Sequence, residues 1–414
     1  MTLSEELTWR GFINQSTFSD IKHLDKGSWT FYHGFDASAD SQTIGNLAAM
    51  MFDKVFMRHG HKAILLAGGA TSLIGDPGGK DSERPMQDET TILANVKAAE
   101  DELKQVFQGQ QFTLVNNLDW FNSMTVLEFL RDIGKNFSMT PLVQRDYIAK
   151  RMGEGGSGIS YTEFSYTLLQ GYDFLHLHKT LGVNLQLSGS DQWGNCLSGV
   201  DLVRRETGNE VHALTAPLVI NKTTGKKFGK SEDGAVWLNP SKTTPFMFYQ
   251  FWLNVDDEGV EDYLKIYTEL SKNDIDSIMH EFNKDRQARI AHKKLAYEVT
   301  KMVHGDRQAQ QQQKITDHIV KQTTQTLDAT EIHIVKNELP SIIAEENDTI
   351  IDLAVKLGLI ASKGEARRML DSGALYINGV SVHDPHLQSE HFDNGAFFLR
   401  KGKAYKNVGL VLKK

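Results

Sequence analysis

Apolar residues in the first half of the chain alternate between two periods. Short continuous apolar runs, ending at residues 32–35 and spanning 62–67 (KAILLA), 112–116 and 185–188, read as buried strands. Between the first two, Ile44, Leu47, Ala48, Met51, Val55 and Phe56 recur at helical spacing, and residues 89–107, 126–134 and 163–178 carry the same pattern. A further strand-like run lies at 217–220. Such alternation predicts a Rossmann-like α/β domain with a parallel sheet over residues 1–220. After Pro245 the alternation stops. Residues 221–245 read as a basic loop and linker, 246–319 as a helical domain, and 320–347, polar with weak periodicity, as a connector. Residues 348–414 then predict a small α+β domain: two short helices, a strand at 374–377, the turn Asn378-Gly379 and a strand at 380–382. Asn-Gly between two apolar runs is a strong hairpin signal.

Composition narrows the class. The 414 residues are 40% hydrophobic and 24% charged, and no apolar run approaches the roughly 20 residues a membrane helix needs. The N-terminal MTLSEELTWRGFINQST has neither the basic start nor the apolar stretch of a secretory signal, so a cytoplasmic protein is expected. Cys196, the one cysteine, cannot close an intramolecular disulfide and reads as a small packed residue. A net charge of −8 excludes a uniformly basic surface for nonspecific nucleic-acid binding. The charge is uneven, however. Residues 348–414 hold ten Lys/Arg against seven Asp/Glu and carry +3, the remainder −11, which marks the tail as a candidate RNA-facing module. Lys363, Arg367 and Arg368 fall on one predicted helix there. His59 with His61, and His176 with His178, lack the spacing that puts two ligands on one helix face, so no tightly bound metal is expected.

Four stretches carry candidate chemistry. LLAGGATSLIGDPGGKDSERP (65–85) follows a buried strand with a Gly-rich turn that lets backbone approach a ligand, and Asp76, Lys80 and Arg84 add charge at its rim. It is not a P-loop: Ile74 stands where the first glycine belongs, and Asp81 follows Lys80. In TEFSYTLLQGYDFL (162–175), Tyr166, Gln170 and Asp173 share one helix face, so a hydroxyl, an amide and a carboxylate converge. SGSDQWGN (188–195) offers Asp191 and Gln192 just past a strand, at the carboxyl edge where open α/β sheets bind ligands. KKFGKSEDG (226–234) sets Lys227, Lys230 and Ser231 around a glycine, a loop suited to neutralising a polyphosphate.

In this order and spacing the four stretches, together with YHGFDASADSQTIGN, closely resemble the catalytic domain of bacterial tyrosyl-tRNA synthetases of class I, and SKGEARRMLDSGALYINGVSV is similar to the S4-like RNA-binding domain such enzymes carry at the C-terminus. The resemblance covers the whole chain. It implies that Tyr32 and Asp173 hold the substrate phenol, that Tyr166, Gln170, Asp76 and Gln192 hold its α-ammonium and carboxylate ends, and that Asn117 lies along the same pocket. Gly34, Asp36, Ser38, Gly45, Asn46, Gly189, Asp191 and Lys230 are then expected along the ATP groove, with Lys80, Arg84, Lys227, Lys230 and Ser231 on the pyrophosphate. It further implies ATP used with Mg2+, the tRNA for tyrosine as partner, tRNA contacts from Lys363, Arg367 and Arg368, and a homodimer. One signature departs from the family. Its usual His-x-Gly-His is Thr43-Ile44-Gly45-Asn46, and the upstream threonine is Ser38. Gly45 remains, Asn46 can still donate a hydrogen bond in place of an imidazole, and Thr43 is expected to contribute little. The altered signature leaves a second reading open, a catalytically silent paralogue that keeps fold and RNA-binding tail; a tryptophan-specific relative would not need both Tyr32 and Asp173.

Overall fold

The computed structural model describes residues 1–76, 88–231, 234–402 and 407–414, with backbone alone at 141, 146, 147, 230 and 231. The chain divides into two compact units, residues 1–243 with 254–295, and residues 244–253 with 296–414.

The first unit is built on five parallel strands, β1 (Thr30–Phe35), β2 (Lys62–Ala67), β3 (Phe112–Asn116), β4 (Leu185–Gly189) and β5 (His212–Ala216), in the order β3-β2-β1-β4-β5. Both faces of the central strands are covered, which is why they read as continuous rather than alternating apolar runs: Phe31, Tyr32, Ile64, Leu65, Leu185, Leu187 and Leu214 are all buried. Helices α1 (Ile44–Arg58), α2 (Gly69–Ile74), α3 (Glu89–Val106), α4 (Tyr161–Leu181) and α5 (Trp193–Thr207) supply the flanking layers and crossovers. The start of α4 is fixed locally, Ser160 Oγ accepting from Glu163 N at 3.1 Å, while Arg151 grips both oxygens of the buried Glu163 carboxylate at 2.7 and 2.8 Å. It stops at Gly182, which turns left-handed with φ of 70°. The strand expected at 217–220 is instead β5, ending at Ala216. Pro217 has no N–H for the ladder, and Ile220 makes only an isolated bridge with Lys227. Residues 126–134 are helical but broken into an α turn, a π turn and the start of a 3-10 turn.

In the second unit, helices α6 (Pro245–Leu253), α7 (Asp306–Lys321), α8 (Ala329–Glu338), α9 (Ile350–Lys356) and α10 (Lys363–Asp371) accompany a sheet of β6 (Ser341–Ile343), β7 (Leu375–Ile377), β8 (Val380–Ser381), β9 (Ala396–Lys401) and β10 (Val408–Leu412). The strand order is β8-β7-β9-β10-β6. Asn378 and Gly379 turn the expected hairpin with φ of 46° and 80°, the pair of positive angles that favours Asn-Gly. The stretch read as a connector contains α8 and β6, and β6 pairs in parallel with β10, Leu410 opposite Ser341. The small sheet therefore draws its edge strand from before residue 348. One of its faces packs on Ile350, Leu353, Ala366 and Leu370, the other on Ile315, Ile319, Leu327 and Val335.

Candidate active site

The order β3-β2-β1-β4-β5 reverses direction between β1 and β4, and a crevice outside the carboxyl ends of strands at such a switch point is where open α/β sheets take ligands. A cavity of about 360 Å³ opens there. Gly68, in the turn after β2, makes the approach possible: a Cβ at this position would stand 2.3 Å from Thr71 Oγ1 and 2.6 Å from Asp36 Oδ1.

The deep end of the cavity is polar and almost inaccessible to water. Asp173, Tyr32 and Gln186, which line it, are exposed by 1%, 1% and 2%, and Asn117, which supports Asp173 without lining the cavity, by 0%. Asp173 accepts from Asn117 Nδ2 at 3.1 Å and from Trp120 Nε1 at 2.9 Å, and Asn117 Oδ1 accepts in turn from Ala70 N at 2.7 Å. Burial pushes the Asp173 carboxyl up to about 7 against the pull of those two donors. The Tyr32 hydroxyl and Gln186 Oε1 have no hydrogen-bond partner among the described residues. Buried polar atoms are ordinarily satisfied, so two orphans beside a cavity mark a place where a ligand supplies the missing partner. Burial and then the nearby Cys196 and Asp173 hold the Tyr32 phenol well above its ordinary value, so it stays a neutral hydroxyl.

Toward the mouth, Tyr166 donates to Asp36 Oδ2 at 3.0 Å, Thr71 to Asp36 Oδ1 at 2.9 Å, and Gln192 Nε2 to Asp76 Oδ2 at 2.7 Å. Gln170 lines the same wall. Asn195 steadies Gln192 from behind at 3.0 Å and is itself held by Thr167 and Arg145. Asp36, Asp76, Asp173 and Asp191 thus surround one cavity, a field that favours a cationic group such as an α-ammonium. Gly34, Ser38, Gly45, Asn46 and Gly189 line it also.

The altered signature opens α1. Asn46 Oδ1 accepts from Thr43 N at 3.0 Å and from Thr43 Oγ1 at 2.8 Å, the reach of a third-position side chain back to the residue that caps its helix. Asn46 therefore caps from inside the first turn. Its amide nitrogen is not used in this, and Asn46 is among the residues that line the cavity. The Lys-Phe-Gly-Lys-Ser loop comes to the same place: Ile44 N donates to Val236 O, Val236 N to Gly229 O, and a Cβ on Gly229, whose φ is 109°, would meet Ile44 Cγ1 at 3.1 Å. Lys227 lines an adjoining space with Thr43, Gly45 and Asn46. Lys230 and Ser231 lie on the backbone of a two-residue strand in that loop, paired with Ala235 and Gly234. Lys80 and Arg84 lie outside the described residues.

Sequence reasoning passed over Gln186, Trp120, Thr71 and a buried pair, His33 with Asp53. The available signal for three of them was a polar residue inside an apolar run: Gln186 in β4, His33 in β1 and Asp53 within the apolar stripe of α1. Cys196 is fully buried with Sγ 3.1 Å from Ser188 Oγ, and burial pushes its thiol up to about 12, an inert packed residue. In the second unit Lys363, Arg367 and Arg368 sit exposed on α10, and Lys363 Nζ lies 2.5 Å from Asp352 Oδ1.

Residues 24–321 match the model of the class I tRNA synthetases for tryptophan and tyrosine, which defines the class to which this fold and cavity belong. Residues 331–408 match the tyrosine–tRNA ligase SYY-like C-terminal domain. Tyrosine–tRNA ligase 1 of Streptococcus thermophilus is 41% identical, with 97% of this chain and 98% of that protein covered; tyrosine–tRNA ligase of Geobacillus kaustophilus is 42% identical over the same shares. Among solved structures, a C-terminally truncated mitochondrial tyrosyl-tRNA synthetase of Aspergillus nidulans superposes with a TM-score of 0.69 at 30% identity, covering 77% of this chain and 94% of that one. A tryptophanyl-tRNA synthetase of Encephalitozoon cuniculi, at 10% identity and a TM-score of 0.55, covering 75% of this chain and 89% of that one, shares the fold alone. Within its class, the chain belongs to the tyrosine–tRNA ligase family.

Proposed function

We propose that the chain activates L-tyrosine with ATP to tyrosyl-adenylate and pyrophosphate, then esterifies tyrosine to the terminal adenosine of its tRNA. The observation that carries this is the deep end of the cavity, where the unpartnered Tyr32 hydroxyl and the buried Asp173 carboxylate supply a donor and an acceptor suited to a phenol. An indole cannot satisfy both. The α-ammonium falls among Asp36, Asp76, Tyr166, Gln170 and Gln192. ATP, carried as its Mg2+ complex, lies along Gly34, Ser38, Gly45, Asn46, Gly189 and Asp191. The tyrosine carboxylate attacks the α-phosphorus in line, and pyrophosphate leaves toward Lys227, Lys230 and Ser231, with Lys80 and Arg84 as further cations for it. The 2′-hydroxyl of the terminal ribose then attacks the adenylate carbonyl. Positioning and electrostatic stabilisation provide the rate, so donors and lysines matter more than a general base.

The tRNA meets exposed basic residues of α10, chiefly Arg367 and Arg368. The protein works in the cytoplasm as a homodimer, for which exposed Val126, Leu127 and Leu130 offer apolar surface. Charging of bulk tRNA with labelled tyrosine tests the proposal. Acid-precipitable tyrosine that resists excess phenylalanine and tryptophan is the expected result, and no charging at saturating ATP would overturn it.

A further inference from the structure

The chain that leads from Asp36 to the Thr43–Asn46 signature is held from outside by α3. Asn95 and Glu102, seven positions apart and so on one face of that helix, both reach it. Asn95 Nδ2 donates to Ala37 O at 2.9 Å. Glu102 accepts from Ser41 Oγ at 2.6 Å and from Gln42 N at 2.7 Å, one bond to each carboxylate oxygen. The bonds continue beyond these two residues. Ser41 Oγ accepts from Asn239 N at 3.1 Å, Gln42 O accepts from Leu238 N at 2.9 Å, and Thr43 forms an isolated antiparallel bridge with Trp237. One residue earlier, Val236 O accepts from Ile44 N while Val236 N donates to Gly229 O, between Lys227 and Lys230. Residues 236–239 are thus the return of the Lys-Phe-Gly-Lys-Ser loop. Apart from the Thr43–Trp237 bridge, neither this return nor residues 36–42 belong to a helix or strand, so side-chain bonds rather than a ladder fix where they lie. Ser41 and Gln42 are buried, and Gln42 lines the cavity.

On the reading of the cavity as the tyrosine and ATP site, on which this rests, we infer that Glu102 is a positioning residue for adenylate formation. Its carboxylate fixes residues 41–43 and, through Ser41 and Gln42, the return of the Lys-Phe-Gly-Lys-Ser loop, so that signature and loop meet the nucleotide as one unit. Glu102 is not itself among the residues that line the cavity. The amino-acid end is held by other means: Tyr32 stands on β1, Tyr166, Gln170 and Asp173 on α4, and Asp36 takes bonds from Tyr166 and Thr71. Ala37 is fixed by Asn95 and by Ser72, whose Oγ accepts from Ala37 N at 2.9 Å. Releasing Glu102 therefore frees the signature and the loop and leaves the tyrosine pocket in place. Groups that act on the transition state need exact placement, and a shift of about 1 Å can cost about 10²-fold in rate.

The test compares wild type, Glu102→Ala, Glu102→Gln, Ser41→Ala and the double variant Glu102→Ala with Ser41→Ala in single-turnover adenylate formation, tyrosine affinity without ATP and thermal unfolding. Glu102→Ala should lose roughly 10- to 100-fold in rate, with tyrosine affinity within about twofold of wild type. Glutamine can still accept from Gln42 N and donate to Ser41 Oγ, whose proton then turns to Gln42 O, already 3.0 Å away. Glu102→Gln should accordingly stay within about threefold of the wild-type rate. Ser41→Ala should slow the step as well, and the double variant should be little slower than Glu102→Ala, because both changes cut the same chain of bonds. A folded Glu102→Ala protein with the wild-type rate overturns the role. A rate that falls no further than tyrosine affinity does so too, as does a Glu102→Gln protein as slow as the alanine variant; either makes the carboxylate a brace of the fold. If Glu102→Ala does not fold, Ser41→Ala decides alone, and a wild-type rate there overturns the role. A wild-type protein that forms no adenylate overturns the reading of the cavity and the inference with it.

Discussion

Replacing Asp173 by alanine should remove most of the preference for tyrosine over phenylalanine. The carboxylate is 1% exposed and already takes hydrogen bonds from Asn117 and Trp120, which aim it into the cavity and leave acceptor capacity for a phenol. Hydrogen bonds to a charged group contribute about 1.5–3 kcal/mol, so the lost bond corresponds to roughly 10- to 150-fold in relative kcat/KM. Alanine also strands the Asn117 and Trp120 donors, at about 1–3 kcal/mol each in stability, so thermal unfolding has to be followed in parallel. Acid makes the same perturbation without a mutation. With the carboxyl at about 7 in the free protein, the ionised fraction falls from roughly 90% at pH 8 to roughly 10% at pH 6. Tyrosine affinity, measured by calorimetry without ATP, should therefore weaken by up to about tenfold over that interval. Phenylalanine affinity should not follow. A folded Asp173→Ala protein that still rejects phenylalanine, or tyrosine affinity flat from pH 6 to 8, would refute the assignment of Asp173 to the phenol.

Asn46→Ala should slow adenylate formation by about 10²-fold through loss of a donor to the nucleotide and cost about 0.5–2 kcal/mol through loss of the cap to Thr43; Thr43→Ala should do much less, and rapid-quench kinetics with thermal melts read both. Arg367→Ala with Arg368→Ala should weaken tRNA charging and lower the salt dependence of tRNA binding while pyrophosphate exchange is unchanged; equal loss of both activities would contradict the RNA contact. Saturating tyrosine at 100 times its dissociation constant should stabilise the protein by about 2.7 kcal/mol, visible as a rise in Tm, and phenylalanine at the same concentration should not.

The sheet and the polar wall of the cavity were legible because each rests on a local rule. KAILLA is a strand buried on both faces and α4 carries Tyr166, Gln170 and Asp173 on one side, so period and spacing sufficed. The edge of the small sheet was not legible, because β6 is three residues long and gains its meaning only from pairing with β10, some 70 positions away in the chain. That has a practical consequence. Cutting before residue 348 would remove four of five strands and bare Ile315, Leu327 and Val335, so substitutions on α10 test RNA contact more cleanly than truncation. The His33–Asp53 pair was hidden for a similar reason: two polar residues 20 positions apart become partners only when α1 lies on β1. The cap that Asn46 makes to Thr43 follows a local rule as well, since the third residue of a helix can cap it from within.

The most direct measurement is ATP–pyrophosphate exchange by the purified protein with each of the twenty amino acids in turn. Exchange that requires tyrosine, with phenylalanine and tryptophan at background, is the predicted result. Exchange supported by another amino acid would contradict the pocket built on Tyr32 and Asp173, and exchange with none would mean that the Thr43–Asn46 signature has silenced the site.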